Sequence, residues 1–222
     1  MKKQEKTEKT EKMHSVYVVF IITNTNMGRL IRFFTRNQYS HVSLSFDRDL
    51  RRMYSFARYY VNSPILGGFV TEHPGRYLIG GNDVNVKICK ILVTKAELDR
   101  LRKEITYFKK YKREMIYNTL NAVLSLYRKR VAITNSYTCI DFITYLLQIQ
   151  KVNSIRELEE IYDSCVIYDG SLRKISPPMR RNKDEFFVYR STFGIIYDSI
   201  YHFSRIIRRM VNKTGSKQGK IQ

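Results

Sequence analysis

A cysteine stands at the start of a predicted helix in the segment SYTCIDFITYLL, residues 136–147. Thr138 and Asp141 have the spacing of a capping box, and apolar residues at helical spacing follow them. Cys139 would then lie in the first turn, where free backbone N–H groups and the helix dipole stabilise a thiolate. A thiolate is the nucleophile of a cysteine hydrolase. The alternative role for Cys139 is that of a small apolar residue buried on the helix.

A thiolate nucleophile needs a neighbouring imidazole that takes and returns its proton. His41 lies in SHVSLSF, residues 40–46, where strict alternation of apolar and polar residues predicts a strand with the histidine on its polar side. The other histidines lie in an N-terminal leader (His14), in a loop beside a proline (His73) and on a late helix (His202). His41 is therefore the candidate base, because a strand histidine facing a cysteine at a helix start is the arrangement found in papain.

The elements that must position this pair do not alternate regularly between strand and helix. Strand patterns cover residues 16–22, 40–46, 53–61, 83–93 and 165–169. Besides the Cys139 helix, helices are predicted over 24–37, 94–112, 117–127, 154–162 and 193–210, with capping boxes at Thr94 and Ser154. Residues 62–70 contain proline and glycines and are predicted to be a loop. We therefore expect an α+β fold with a small, mostly antiparallel sheet flanked by helices.

The amino-acid composition indicates how many domains the chain forms and what kind of partner it binds. The 222 residues are 43% hydrophobic, enough for one domain, which we place at 14–176 between a disordered charged leader (1–13) and a basic C-terminal extension (177–222). Forty Lys and Arg against 20 Asp and Glu give a net charge of +20, which favours an anionic partner. Three cysteines without a CxxC motif indicate a reducing, cytoplasmic setting and no structural zinc.

Several motifs resemble the circularly permuted branch of the NlpC-type papain-like superfamily, which includes YiiX-like cysteine amidases and peptidases and is related to lecithin–retinol acyltransferase. In order, they are YSHVSLSFD, MYSFAR, GGFVTE and SYTCIDFITYLL, and the resemblance runs from about residue 16 to 172. It implies a permuted papain-like fold in which the histidine strand precedes the cysteine helix. It also implies that Cys139 is the nucleophile and His41 the base.

The third, orienting residue of that superfamily is often Glu or His on the strand after the histidine. Here the position falls on Ser55, whose hydroxyl can accept a hydrogen bond from an imidazole but adds no charge. Glu72 is a carboxylate nearby in sequence that could substitute, and its alternative role is that of a solvated loop residue. The implied reaction is acyl transfer from an amide, ester or thioester, with no metal or organic cofactor and with a peptide, lipid or amide substrate.

A second class of function is a non-catalytic anion-binding module on a decayed papain-like fold, which the serine at position 55 favours. Residues 177–222 carry ten basic and three acidic residues, a local excess of seven positive charges. The predicted late helix combines Arg205, Arg208 and Arg209 with an apolar stripe (Phe193, Ile196, Ile200, Phe203, Ile207 and Met210). Such a helix is expected to lie on an anionic membrane rather than to bind nucleic acid, unless its stripe packs on the domain.

Overall fold

The computed structural model describes residues 12–23, 38–63, 65–78, 82–124, 131–150, 152–175 and 185–218, with side chains as far as Val211. The helix predicted over 24–37 and nearly all of the predicted leader lie outside these residues.

Six strands form one sheet whose pairings are all antiparallel. In chain order they are β1 (His14–Ile21), β2 (His41–Ser45), β3 (Met53–Arg58), β4 (Gly67–Glu72), β5 (Asn85–Val93) and β8 (Val166–Ser171). Across the sheet their order is β4-β3-β2-β1-β5-β8. Two short strands, β6 (Ile116–Tyr117) and β7 (Ser136–Tyr137), form a separate parallel pair. The expected α+β class with a mostly antiparallel sheet is confirmed.

The helices are α1 (Lys95–Lys110), α2 (Thr119–Leu124), α3 (Cys139–Leu146), α4 (Ile155–Ile161), α5 (Leu172–Ile175) and α6 (Thr192–Gln218). Full capping boxes begin α1 and α3, as their sequences predict. Ser154 also caps α4, but the Glu157 carboxylate accepts from the Asn153 amide, so this cap is not the reciprocal box that was predicted. Among the described helices, none is long and apolar enough to cross a membrane.

Both faces of the sheet are covered, which explains why β1 is continuously apolar from Val16 to Ile21. Its residues alternate between two buried clusters: Val16, Val18 and Phe20 belong to one, and Tyr17, Val19 and Ile21 belong to the other. The first cluster also contains α1, α3 and the inward side chains of β2 and β3. This packing fixes α3, and therefore Cys139, against the strand that begins with His41.

The prediction of a loop over 62–70 is wrong for its second half, because β4 begins at Gly67. A Cβ on Gly67 would meet the Ala57 carbonyl oxygen, and one on Gly68 would meet the Tyr59 hydroxyl. These glycines therefore permit a close approach to the backbone and side chains around β3 rather than mark a turn. The consequence for the site is that Glu72, the last residue of β4, belongs to the sheet.

Candidate active site

Cys139 is the first residue of α3, and local chemistry holds the helix start in place. The Thr138 hydroxyl accepts a hydrogen bond from the Asp141 amide at 3.2 Å, and the Asp141 carboxylate accepts from the Thr138 amide at 2.9 Å. The first bond within the helix joins the Phe142 amide to the Thr138 carbonyl oxygen. The amides of Cys139 and Ile140 precede that bond, so they have no acceptor within the helix and can serve a bound group.

His41 is the first residue of β2. Both His41 and Cys139 are buried, with 7% and 6% of their surface exposed. The ring nitrogen Nε2 lies 3.2 Å from Glu72 Oε2 and 3.2 Å from Ser43 Oγ. The Ser43 hydroxyl donates its single proton to Glu72 Oε2 at 2.6 Å. Both groups at Nε2 are therefore acceptors, so Nε2 must carry a proton. Nδ1 is the ring nitrogen that remains for exchange of a proton with Cys139.

The pKa of His41 identifies its two principal partners. Burial alone would lower this pKa, but the charge of Glu72 and a side-chain hydrogen bond with Cys139 raise it well above its ordinary value. Cys139 and the Glu72 carboxylate therefore both act on the ring, and the carboxylate does so at Nε2. A ring held in this way stays protonated at neutral pH when the thiolate is beside it.

Glu72 is 1% exposed and is surrounded by groups that favour its ionised form. Arg76 Nη1 lies 3.8 Å from Oε1, and the Tyr77 ring lies beside the His41 ring, with 6.0 Å between their centroids. Burial would raise the pKa of Glu72, but His41, Arg76 and the Ser43 hydroxyl together lower it well below its usual range. Burial, together with the charge of Glu72, raises the pKa of Tyr77 well above its ordinary value, so this phenol keeps its proton.

A second layer of side chains fixes Arg76 itself. Its Nη2 donates to the Arg58 carbonyl oxygen at 2.6 Å, and its guanidinium lies 4.3 Å from the centre of the Phe186 ring. Arg76 is buried, and Phe186 comes from the segment that precedes α6. The cation beside Glu72 is therefore held by two contacts in addition to its ion pair.

The structure does not position Ser55 for the orienting role that was expected of it. Ser55 lies within β3, and its buried Oγ has no hydrogen-bond partner among the described residues. The group beside the His41 ring is Glu72, and the account of Glu72 as a solvated loop residue is wrong. Sequence reasoning missed Arg76 and Tyr77, and the one signal for Arg76 is its spacing of four residues from Glu72.

The approach to Cys139 is narrow. The phenol of Tyr117 is close enough for Cys139 to raise its pKa, together with burial of the ring, and the Tyr117 carbonyl oxygen accepts a hydrogen bond from His202 at 3.0 Å. A cleft of about 580 Å³ opens beside α3, lined by Ser136, Asp141 and Tyr145 among others. Neither Cys139 nor His41 lines this cleft. This cleft therefore does not open onto the sulfur.

Comparison with protein-family models, curated proteins and solved structures finds no match to this chain. Within the described ranges, no group of three or more His, Cys, Asp or Glu side chains could hold a metal ion. The function is therefore inferred from the geometry of the site alone.

Proposed function

We propose that the protein is a cysteine-dependent hydrolase or acyltransferase of the permuted papain-like type. Cys139 is the nucleophile, His41 is the base and acid, and Glu72 orients the ring. The observation that carries the proposal is that a buried, ionised carboxylate holds His41 at Nε2, while Cys139, on the helix packed against the same strand, also raises the pKa of the ring. Three groups in this order are what activation of a thiol requires.

The reaction begins when Nδ1 of His41 takes the proton of the Cys139 thiol. The thiolate attacks the carbonyl carbon of an amide, ester or thioester, and the amides of Cys139 and Ile140 stabilise the oxyanion. His41 returns the proton to the leaving group as its bond to carbon breaks. Water or another acceptor then loses a proton to His41 and attacks the acyl-cysteine, which releases the acyl group and restores the thiol.

Two features of the fold support the permuted papain-like type. The histidine strand precedes the cysteine helix along the chain, and α3 packs against the strand that carries the histidine. All three cysteines are unpaired, which suits a reducing compartment such as the cytoplasm. The substrate class stays open, because papain-like sites act on peptides, lipids and amides alike.

Competitive alkylation separates activation of Cys139 from simple exposure. Cys165 is half-buried and the most accessible thiol of the three, whereas Cys139 is nearly closed off. Cys89 is buried, which raises its pKa to about 12 and makes it the least reactive. With limiting iodoacetamide near neutral pH and peptide mapping by mass spectrometry, we expect Cys139 to be modified first. If Cys165 reacts first and Cys139 is as slow as Cys89, the protein is a non-catalytic module.

A further inference from the structure

One face of α6 fastens this helix to the domain. Ile206 is buried against Ile116 and Ile133, and His202 bonds to the Tyr117 carbonyl oxygen. Arg205 and Arg209 donate to carbonyl oxygens of the domain: Arg205 to that of Arg113 at 3.0 Å, and Arg209 to those of Glu114, Thr134 and Asn135 at 2.8 to 3.0 Å. These two arginines are therefore engaged in docking the helix and do not project as free charges, contrary to their expected role in lipid binding.

The opposite face of α6 is an exposed apolar stripe, which consists of Phe193, Ile196, Ile200, Phe203, Ile207 and Val211. Each of these side chains is between 46% and 87% exposed. At 100° per residue they fall within an arc of about 80°, and they extend over about 27 Å of helix. Met210, which was expected in this stripe, is half-buried and packs instead against the cluster of Ile116, Ile133 and Ile206. Contiguous apolar exposure of this length marks a binding surface.

The surroundings of the stripe favour an anionic partner. Tyr197 and Tyr201 border it and are exposed, as is Arg208. Asp198 is the single acidic residue in 191–211, and it is paired with Arg190 at 2.6 Å. From residue 199 to 222 the sequence has six Lys and Arg and no Asp or Glu. Apolar side chains edged by tyrosines and cations suit the boundary between lipid headgroups and acyl chains.

A second copy of the chain is the obvious competing occupant, since the stripe would also suit a helix pair. Each chain carries a net charge of +20, so pairing two copies brings like charges together, whereas an anionic lipid surface attracts the same charge. We propose that α6 lies in the headgroup region of an anionic bilayer, with the apolar stripe inserted. This membrane binding does not depend on the chemistry at Cys139.

Vesicle co-sedimentation of the full chain tests the proposal. The vesicles contain phosphatidylcholine alone or with roughly 30% phosphatidylserine. The test variant is Ile196→Ser, Ile200→Ser and Ile207→Ser combined, and its matched control is Leu92→Ser, Val123→Ser and Ile161→Ser, three comparably exposed apolar residues elsewhere. We expect the wild type and the control to bind anionic vesicles, and the partition coefficient of the test variant to fall at least about tenfold. Circular dichroism verifies that both variants fold.

Four outcomes overturn the proposal: no binding of the wild type to anionic vesicles, equal binding to neutral vesicles, equal losses in the test and control variants, or insensitivity to salt. Sedimentation velocity without lipid adds a fifth. A wild-type dimer that the test variant dissociates, with no vesicle binding, would assign the stripe to a contact between copies. The Cys139→Ser variant should bind vesicles like the wild type, so a failed catalytic proposal leaves this test intact.

Discussion

Replacing Glu72 by Gln keeps the size of the side chain and removes its charge from a buried cluster. The carboxylate is 3.2 Å from His41 Nε2 and 3.8 Å from Arg76 Nη1, and all three side chains are at most 9% exposed. Removing one partner of a buried ion pair destabilises a protein by about 3–5 kcal/mol, because the other charge is left uncompensated. His41 can become neutral by losing its proton, which limits the cost of the missing charge. We therefore expect the free energy of unfolding to fall by about 3 kcal/mol, at the lower end of that range.

The pH dependence of stability gives the sharper signature. Glu72 and Cys139 raise the pKa of His41 against the effect of burial, from 6.5 to about 10. Because the pKa of His41 is higher in the folded state, its proton stabilises the fold fully below pH 6.5. This stabilisation is lost as the pH rises toward the pKa of the folded state. The pKa of Glu72 is lowered to about 2, so its contribution is present above 4.5 and is lost as the pH falls toward 2. Together, the two groups place the maximum of the free energy of unfolding between pH 4.5 and pH 6.5, the ordinary pKa values of Glu and His.

The magnitude follows from the proton balance. Each bound proton changes the free energy of unfolding by about 1.4 kcal/mol per pH unit. The comparison uses Cys139→Ser as its reference, because in the wild type the thiol can supply the proton that His41 holds. Between about pH 7 and pH 9 this reference should lose up to about 2 kcal/mol more than the same protein that also carries Glu72→Gln, in which no carboxylate raises the pKa of His41. Urea unfolding across that range measures the difference. Glu160→Gln, at an exposed ion pair with Arg156, is the matched control in the same background and should follow the reference. Parallel pH profiles of the Glu72 variant and the reference would refute the buried pair.

Three further predictions test neighbouring parts of the site. His41→Asn should slow alkylation of Cys139 at least about tenfold at neutral pH, whereas His73→Asn, at a ring that bonds to the Arg51 carbonyl oxygen, should leave the rate unchanged. Ser55→Ala should leave the free energy of unfolding within about 0.5 kcal/mol of the wild type or raise it, because the buried hydroxyl has no partner among the described residues; a large loss of stability would contradict this. Thr138→Ala should lower the free energy of unfolding by about 1 kcal/mol in urea, through the lost cap of α3.

The sequence predicted the parts of the site that local chemistry determines. The capping box places Cys139 at the first position of α3, and the alternation of residues 40–46 places His41 and Ser43 on the same side of β2. Both patterns depend on neighbours within a few residues, which a sequence displays directly. The polar side of β2 was not predictable as buried, because its cover comes from Tyr77 and Glu72, more than 25 residues away along the chain.

The surroundings of Glu72 and of α6 could not be predicted from sequence patterns. Gly67 and Gly68 give the same sequence signal whether they make a turn or permit close packing. The first four residues of β4 were therefore predicted as part of a loop, and Glu72 was given no firm role. For α6 the helical spacing was predicted, but the docking face was not. Arg205 and Arg209 donate hydrogen bonds to backbone carbonyl oxygens about 75 to 95 residues away along the chain. These partners are brought together only in the folded domain, so the sequence does not display them.

The central claim is that Cys139 carries an acyl group during a reaction that needs His41. The most direct measurement is mass spectrometry of the protein mixed with a soluble activated ester such as p-nitrophenyl acetate, quenched in acid at successive times and mapped by peptide. We expect an acetyl group to form on Cys139 ahead of Cys165, to disappear after the ester is consumed, and to be absent in Cys139→Ser and strongly reduced in His41→Asn. Acetylation of Cys165 or surface lysines with Cys139 unmodified, or an unchanged rate in His41→Asn, would contradict the account.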